Sequence, residues 1–189
     1  EFDSLQIQKY LNYSLSKILT LNLPAETKFD VKVDQSFIDF VSSLSKEDLI
    51  RSHDNKWNPS QQLAHVYLCL RPIQLAISLP KFIPSILFGR SKKGSRTYES
   101  LVETYQLKLK NGGKSPSMYK PKKSVRDVGK LKIALIHLVN NITNKLSHYQ
   151  EDELDSFLLP HPLLGKLTAR ELIFFAIYHV GHHQKQIEK

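Results

Sequence analysis

The residues of this chain best suited to chemistry are histidines near its end. His179, His182 and His183 fall in the run 167–188, LTARELIFFAIYHVGHHQKQIE. On a helix, His179 and His183 lie one above the other, because positions four apart share a face. Counting back along that face gives Ala176 and Leu172, a stripe directed at the core. Two imidazoles so placed can hold one metal ion from adjacent turns. They can equally be buried histidines satisfied by hydrogen bonds, and the spacing alone does not choose. His182 is turned by about 100° from His183 at the helix period, so it is expected to face outward, towards a neighbouring segment or solvent. His65 is the candidate third ligand. It falls mid-way along another expected helix, off the apolar stripe, one turn from Gln61, Gln62, Leu68 and Cys69. Three histidines from two helices make a ligand set for zinc, nickel or iron(II) with room for water. Spacing does not show that they converge.

Other side chains admit a functional and a plain reading. Cys69 could be a fourth, soft ligand, but a small buried hydrophobe is the expected role. Gln61 or Gln62 could orient a metal-bound water, and Gln61 is also explained by capping. Packing for Tyr178 and turn geometry for His161 are the expected roles. There is no Ser-His-Asp pattern, no glycine-rich phosphate loop and no convincing carboxylate pair for glycosidase-type chemistry.

The elements that must position these residues are helices. Thr168 and Glu171 form a capping box for the last helix, expected from Leu167 to about Glu188, with Leu167 and Leu172 spaced as a hydrophobic staple. Asn58 as N-cap, Pro59 at the first turn and Gln61 at the third position start the helix that carries His65. It is expected to run to about Leu79, through Pro72, with Leu63, Val66, Leu70, Ile73 and Ile77 inward. A first helix is expected from Asp3 to about Leu19, with 28–33 read as a loop. Asp34 opens a short helix with Phe37, Phe40, Val41 and Leu44 inward, and Ser45 with Asp48 caps another turn or two. Ser124 with Asp127 opens a long helix to about Tyr149, with Leu131, Leu135, Leu138, Ile142 and Leu146 as its seam. The segment from Pro80 to Lys123 is rich in prolines, glycines and basic residues, with room for one helix at Thr97–Leu109. It reads as a long crossover, able to span a bundle and leave the helices on either side parallel. His161–Gly165 reads as a turn-rich linker. With four long helices and no convincing sheet, the expected fold is all-α, a four-helix bundle with short extra helices, in one domain covering 1–189.

The 189 residues suffice for one ordinary core. The net charge of +9 permits nucleic acid, an anionic membrane or an acidic small molecule as partner, and selects none. No apolar run reaches the length of a membrane span. Cys69 is the single cysteine, which excludes an intrachain disulfide and fits a reducing, cytoplasmic location. Arg90, Lys92, Lys93, Arg96, Lys108, Lys110, Lys114, Lys120, Lys122 and Lys123, with Tyr98, Tyr105 and Tyr119 between them, make the crossover basic. It can be a solvated loop, a cap that draws an anionic thiol to a metal pocket, or a nucleic-acid surface. No nucleic-acid-binding motif accompanies it, so nucleic acid is the less expected partner.

The run Trp57-Asn58-Pro59-Ser60-Gln61-Gln62-Leu63-Ala64-His65 resembles the second-helix motif of the DinB-like (DinB/YfiT) superfamily, in which a Trp-Ser/Thr entry precedes a metal-binding histidine. His161 to Thr168, followed by His179-Val-Gly-His-His183, resembles that family's last helix and its H-x-x-x-H pair. The resemblance covers nearly the whole chain. It implies an up-down-down-up four-helix bundle, often a homodimer, with a divalent metal held by His65, His179 and His183. Relatives include transferases and isomerases that use low-molecular-weight thiols, and others described as metal-dependent hydrolases or DNA-damage-inducible proteins. The expected function is therefore a metal-dependent enzyme of thiol S-transferase or hydrolase type acting on a small molecule. The alternative is a non-enzymatic, stress- or damage-related binding module that uses the basic crossover.

Overall fold

Helix boundaries in this chain are set largely by local caps. The computed structural model describes residues 37–52, 56–122, 125 and 127–188. The expected helix at 3–19, the loop at 28–33, the cap at Asp34, and Ser124 and Lys123 lie outside these. Asn58 accepts from the Gln61 backbone N–H while the Gln61 side chain accepts from the Asn58 backbone, and the second long helix then runs Pro59–Ser78. It passes through Pro72 unbroken, although a proline supplies no N–H to the preceding turn. All five residues of its expected stripe, Leu63, Val66, Leu70, Ile73 and Ile77, are buried. Thr168 and Glu171 close the same kind of reciprocal cap on the last helix, Ala169–Ile187. Leu167 and Leu172, the expected staple, are both buried.

The third long helix runs Val128–Leu146 with Asp127 itself as N-cap, accepting from the Lys130 N–H. It thus starts later and ends earlier than expected. Leu135, Leu138 and Leu146 of its seam are buried, and Leu131 and Ile142 are half-buried against the core. Residues 37–43 form a short helix with Phe37, Ile38 and Val41 buried, followed by Lys46–Ile50, capped by Ser45. The Asp48 carboxylate takes the Ser45 hydroxyl.

Two hydrogen bonds fix the relative direction of the second and third helices. Gln61 donates to the Lys122 carbonyl, just before the third helix, and the Tyr149 hydroxyl, just after it, donates to the Ile77 carbonyl. Start meets start and end meets end, so the two run parallel, as the long crossover allows. The last helix runs against both. Arg170 at its start binds Glu151 and Asp155, beyond the end of the third helix, whereas His183 near its end meets Gln62 near the start of the second. The three described long helices are therefore down, down and up.

The crossover holds more structure than its composition suggested. Phe82–Phe88 and Tyr98–Lys110 are helices, and Ser117–Tyr119 is a 3-10 turn. Tyr98 and Tyr105 pack edge-on against Phe174 and Phe175 of the last helix. These two tyrosines therefore belong to the packing and do not form a stacking surface for bases. A further helix, Glu151–Ser156, follows the third long one.

The expectation of no sheet and of a simple linker at 161–165 is corrected. Leu158–His161 and Gly165–Thr168 pair as an antiparallel hairpin, His161 opposite Gly165 and Leu158 opposite Thr168. Gly165 sits at φ +77°, a conformation glycine adopts without strain, where the chain reverses. A two-stranded hairpin is marginal in water. This one is held by burying Leu159 and Leu167 and by feeding directly into the last helix. Among the described residues no single helix is long and apolar enough to cross a membrane.

Candidate metal centre

The second and last helices bring His65, His179 and His183 together. Their ring centroids are 5.1 Å (His65–His179), 4.6 Å (His65–His183) and 4.4 Å (His179–His183) apart. All three are buried. The antiparallel crossing puts the early part of one helix beside the late part of the other, so residues far apart in the chain meet.

The outer nitrogens of two rings are engaged. Nδ1 of His65 lies 2.7 Å from the Tyr119 carbonyl, which can only accept, so that nitrogen carries the proton. Nδ1 of His183 meets Oε1 of the buried Gln62. The orientation of that amide is set by its other end, where Nε2 donates to the Trp57 carbonyl (3.3 Å) and to Oε1 of Gln186 (3.1 Å). Both rings thus present an unprotonated Nε2 when neutral. Burial pushes the pKa of all three histidines below the ordinary value, that of His179 and His183 far below, so they are neutral at pH 7 and their lone pairs are available.

Nε2 of His183 and Nε2 of His179 are 3.1 Å apart. Two nitrogens sharing an ion at about 2.0–2.1 Å each come to roughly this separation. The donor set therefore fits a divalent cation: neutral imidazoles, fixed by outer hydrogen bonds of the kind that orient metal-binding histidines.

Cys69, expected to be only a small hydrophobe, also belongs to the cluster. Its Sγ is 3.6 Å from Nε2 of His65, and one ligand atom each from His65, Cys69 and His179 lie within 4.8 Å of one another. Burial pushes its thiol up to about 12, so without a cation beside it the group is a neutral SH. His182 is not simply outward. It is half-buried, stacks on Tyr178, takes a 2.7 Å hydrogen bond from Gln186 and borders the same cavity.

That cavity, about 360 Å³, opens beside the histidines. Its walls come from the second and last helices, the hairpin and its turn, and the crossover, which contributes Tyr105, Leu109, Ser115, Pro116 and Tyr119. Phe175 stacks on His179 at 5.0 Å, and the Trp57 ring lies 4.8 Å from that of His65. His161 serves the turn, its Nδ1 accepting from the N–H groups of Leu163 and Leu164. Burial lowers its pKa to about 4, so it is a neutral ring with its proton on Nε2.

A family model described as the DinB superfamily matches residues 31–187. This chain belongs to the DinB superfamily. No curated protein and no solved structure matches it. The DinB assignment agrees with the all-α fold, and the histidine–cysteine cluster is compatible with a bound divalent metal.

Sequence reasoning missed Gln62 as the residue that orients His183, since it left open whether either glutamine served a water. Gln61 is taken up by the cap and by Lys122. The helix phase could have separated them: Gln62, four positions before Val66, continues the buried stripe, and Gln61 does not. Nothing local signalled the Tyr119 carbonyl, which reaches His65 across 54 positions.

Proposed function

We propose that this DinB-superfamily protein is a metal-dependent enzyme of thiol-transferase or hydrolase type, with a divalent ion held by His65, His179 and His183. The observation that carries the proposal is the convergence of three neutral imidazoles on the wall of a cavity large enough for a small molecule. Such a site resembles catalytic centres with three protein ligands more than closed structural sites. When bound there, the ion would supply Lewis acidity, lowering the pKa of a water towards about 7 or favouring the thiolate of a thiol.

The chain's own residues do the rest. Tyr119 and Gln62 hold the rings of His65 and His183 in the tautomer that presents Nε2 inward. Phe175 and Trp57 pack against the His179 and His65 rings and restrict their planes. Cys69 stands one turn from His65 and can approach the same ion. The set of three imidazoles with an adjacent sulfur suits zinc, nickel or iron(II).

The competing reading is a binding module that contacts nucleic acid through the crossover. The exposure of Lys92, Lys93, Lys108, Lys110, Lys114, Lys120 and Lys122 favours it. It gives no role to the buried histidines. Elemental analysis of protein purified without added metal or a histidine tag discriminates: close to one metal per chain is expected, and a Cys69→Ala variant should keep it. Absence of metal together with steeply salt-dependent DNA binding would favour the module.

A further inference from the structure

The cavity beside the histidines is walled by uncharged residue types and by histidines. Among the described residues that line it there is no lysine, arginine, aspartate or glutamate. This is unexpected for a pocket covered by the most basic segment of a chain with net charge +9. The crossover does cover the site, since the Tyr119 carbonyl holds His65. It does so with uncharged groups, Ser115, Pro116 and Tyr119, while Lys114 and Lys120 beside them are exposed and outside the wall. The half-buried cations among the described residues of the segment, Lys81 and Arg96, are bound to Glu153 at 2.5 Å and Glu171 at 2.8 Å. The rest of the wall is mostly aliphatic, aromatic and proline, including Leu109, Leu163 and Phe175, with Cys69, His161, His182 and Gln186 as its neutral or histidine polar groups.

A charged group carried into such a wall loses its water and gains no counterion, a large penalty. The one place where a ligand could find charge is at the histidines, if they hold a cation. We infer that the cavity selects ligands with an apolar, uncharged body and a single metal-seeking atom, and discriminates against a charge at the ligand's far end. This rests on the metal site proposed above. It goes against the expectation that the basic crossover draws an anionic thiol into the pocket. The volume, about 360 Å³, is at the small end of ligand cavities, about 300–1,000 Å³, and accommodates a substituted single ring.

The test uses cobalt(II)-loaded full-length protein titrated with two thiols that differ only at the far end, phenylmethanethiol and 4-(mercaptomethyl)benzoate. Binding is read from the thiolate-to-cobalt absorption added to the protein's own spectrum. The uncharged thiol is expected to bind about tenfold or more tightly than the carboxylate. Leu163→Lys, which places a cation in the wall at a half-buried position, should narrow the gap by tightening the carboxylate; Leu109→Lys is the second variant should the first fail to fold. Equal or tighter binding of the carboxylate to the wild type would overturn the inference and leave the metal site standing. A cobalt-loaded protein whose spectrum neither thiol changes would overturn the inference and leave the metal site standing, whereas a protein that takes up no cobalt would overturn both.

Discussion

At the start of the last helix Arg170 and Glu171 are buried, and each meets opposite charge. Arg170 binds Asp155 and Glu151 at 2.6 Å each, and Glu171 binds Arg96 at 2.8 Å. At the other end His179 and His183 are buried as deeply, 4% and 5% exposed, and meet no carboxylate among the described residues. Two of the three imidazoles have their outer nitrogens satisfied while inner nitrogens face one another. The first arrangement is complete within the chain. The second is balanced electrostatically only as neutral rings and has lone pairs to offer a cation. Arg170 and Glu171 are polar groups that hold the fold; the buried histidines are the groups proposed to take an ion.

Removing that partner should give the largest effect. A ligand that binds only the folded state stabilises it by about 4 kcal/mol at a thousandfold excess over Kd. Chelation of metal-loaded protein should therefore lower Tm by roughly 8–16 °C at about 2–4 °C per kcal/mol for a chain of this size. A His179→Ala variant should melt at the same temperature with and without chelator. Equal melting of metal-loaded wild type with and without chelator would contradict a stabilising ion at the histidines.

The opposite end should respond without involving metal. Glu171→Ala removes the reciprocal cap and leaves Arg96 unpaired. Arg96 is 35% exposed, so the expected destabilisation is about 2–3 kcal/mol, below the 3–5 typical of a fully buried pair. Urea unfolding measures it, and metal content should not change. Loss of metal in this variant would show that the two ends are not independent.

Gln62→Ala leaves the nitrogens of the proposed metal site in place and removes the acceptor for His183 Nδ1. Metal affinity should fall about 10–100-fold with stoichiometry near wild type, measured by competition with a chelating dye. Unchanged affinity would mean that the amide does not orient the ring.

The two ends should also separate by pH in metal-free protein. Burial keeps the three histidines below their usual pKa, so they favour the folded state above the unfolded value, about 6.5, and that contribution is lost as pH falls. For Glu171, burial works upward but the Arg96 and Thr168 hydrogen bonds bring the pKa below its usual value. Its contribution is held above the unfolded value, about 4.3, and lost as pH falls further. The urea midpoint should drop first below about pH 6.5 and again in the carboxylate range, and Glu171→Ala should lose part of the second drop only.

What the sequence disclosed follows the same division. The caps at Asn58 and Thr168 depend on residues three positions apart, and both were legible, as was the shared face of His179 and His183. The length of the crossover allowed a parallel course of the second and third helices, and the hydrogen bonds at their ends decide it. The hairpin at 158–168 was not legible, because strands of four residues with Pro160 inside show no alternation and are held by contacts with the following helix. Phe82–Phe88 was obscured by Pro84 in its first turn. The roles of Cys69 and Tyr119 depend on which helix faces bundle together, information that no local window contains.

In the proposed site the inner nitrogens of His65, His179 and His183 hold one ion, and His182 stands beside it. Metal content per chain, measured by elemental analysis on single alanine variants shown by circular dichroism to be folded, tests this most directly. His65→Ala, His179→Ala and His183→Ala should each abolish or severely weaken metal binding, whereas His182→Ala should retain close to the wild-type stoichiometry with at most a modest loss of affinity. If His182→Ala loses the metal while His183→Ala keeps it, the site is built on the pair His179 and His182, and the assignment of His183 as a ligand is wrong.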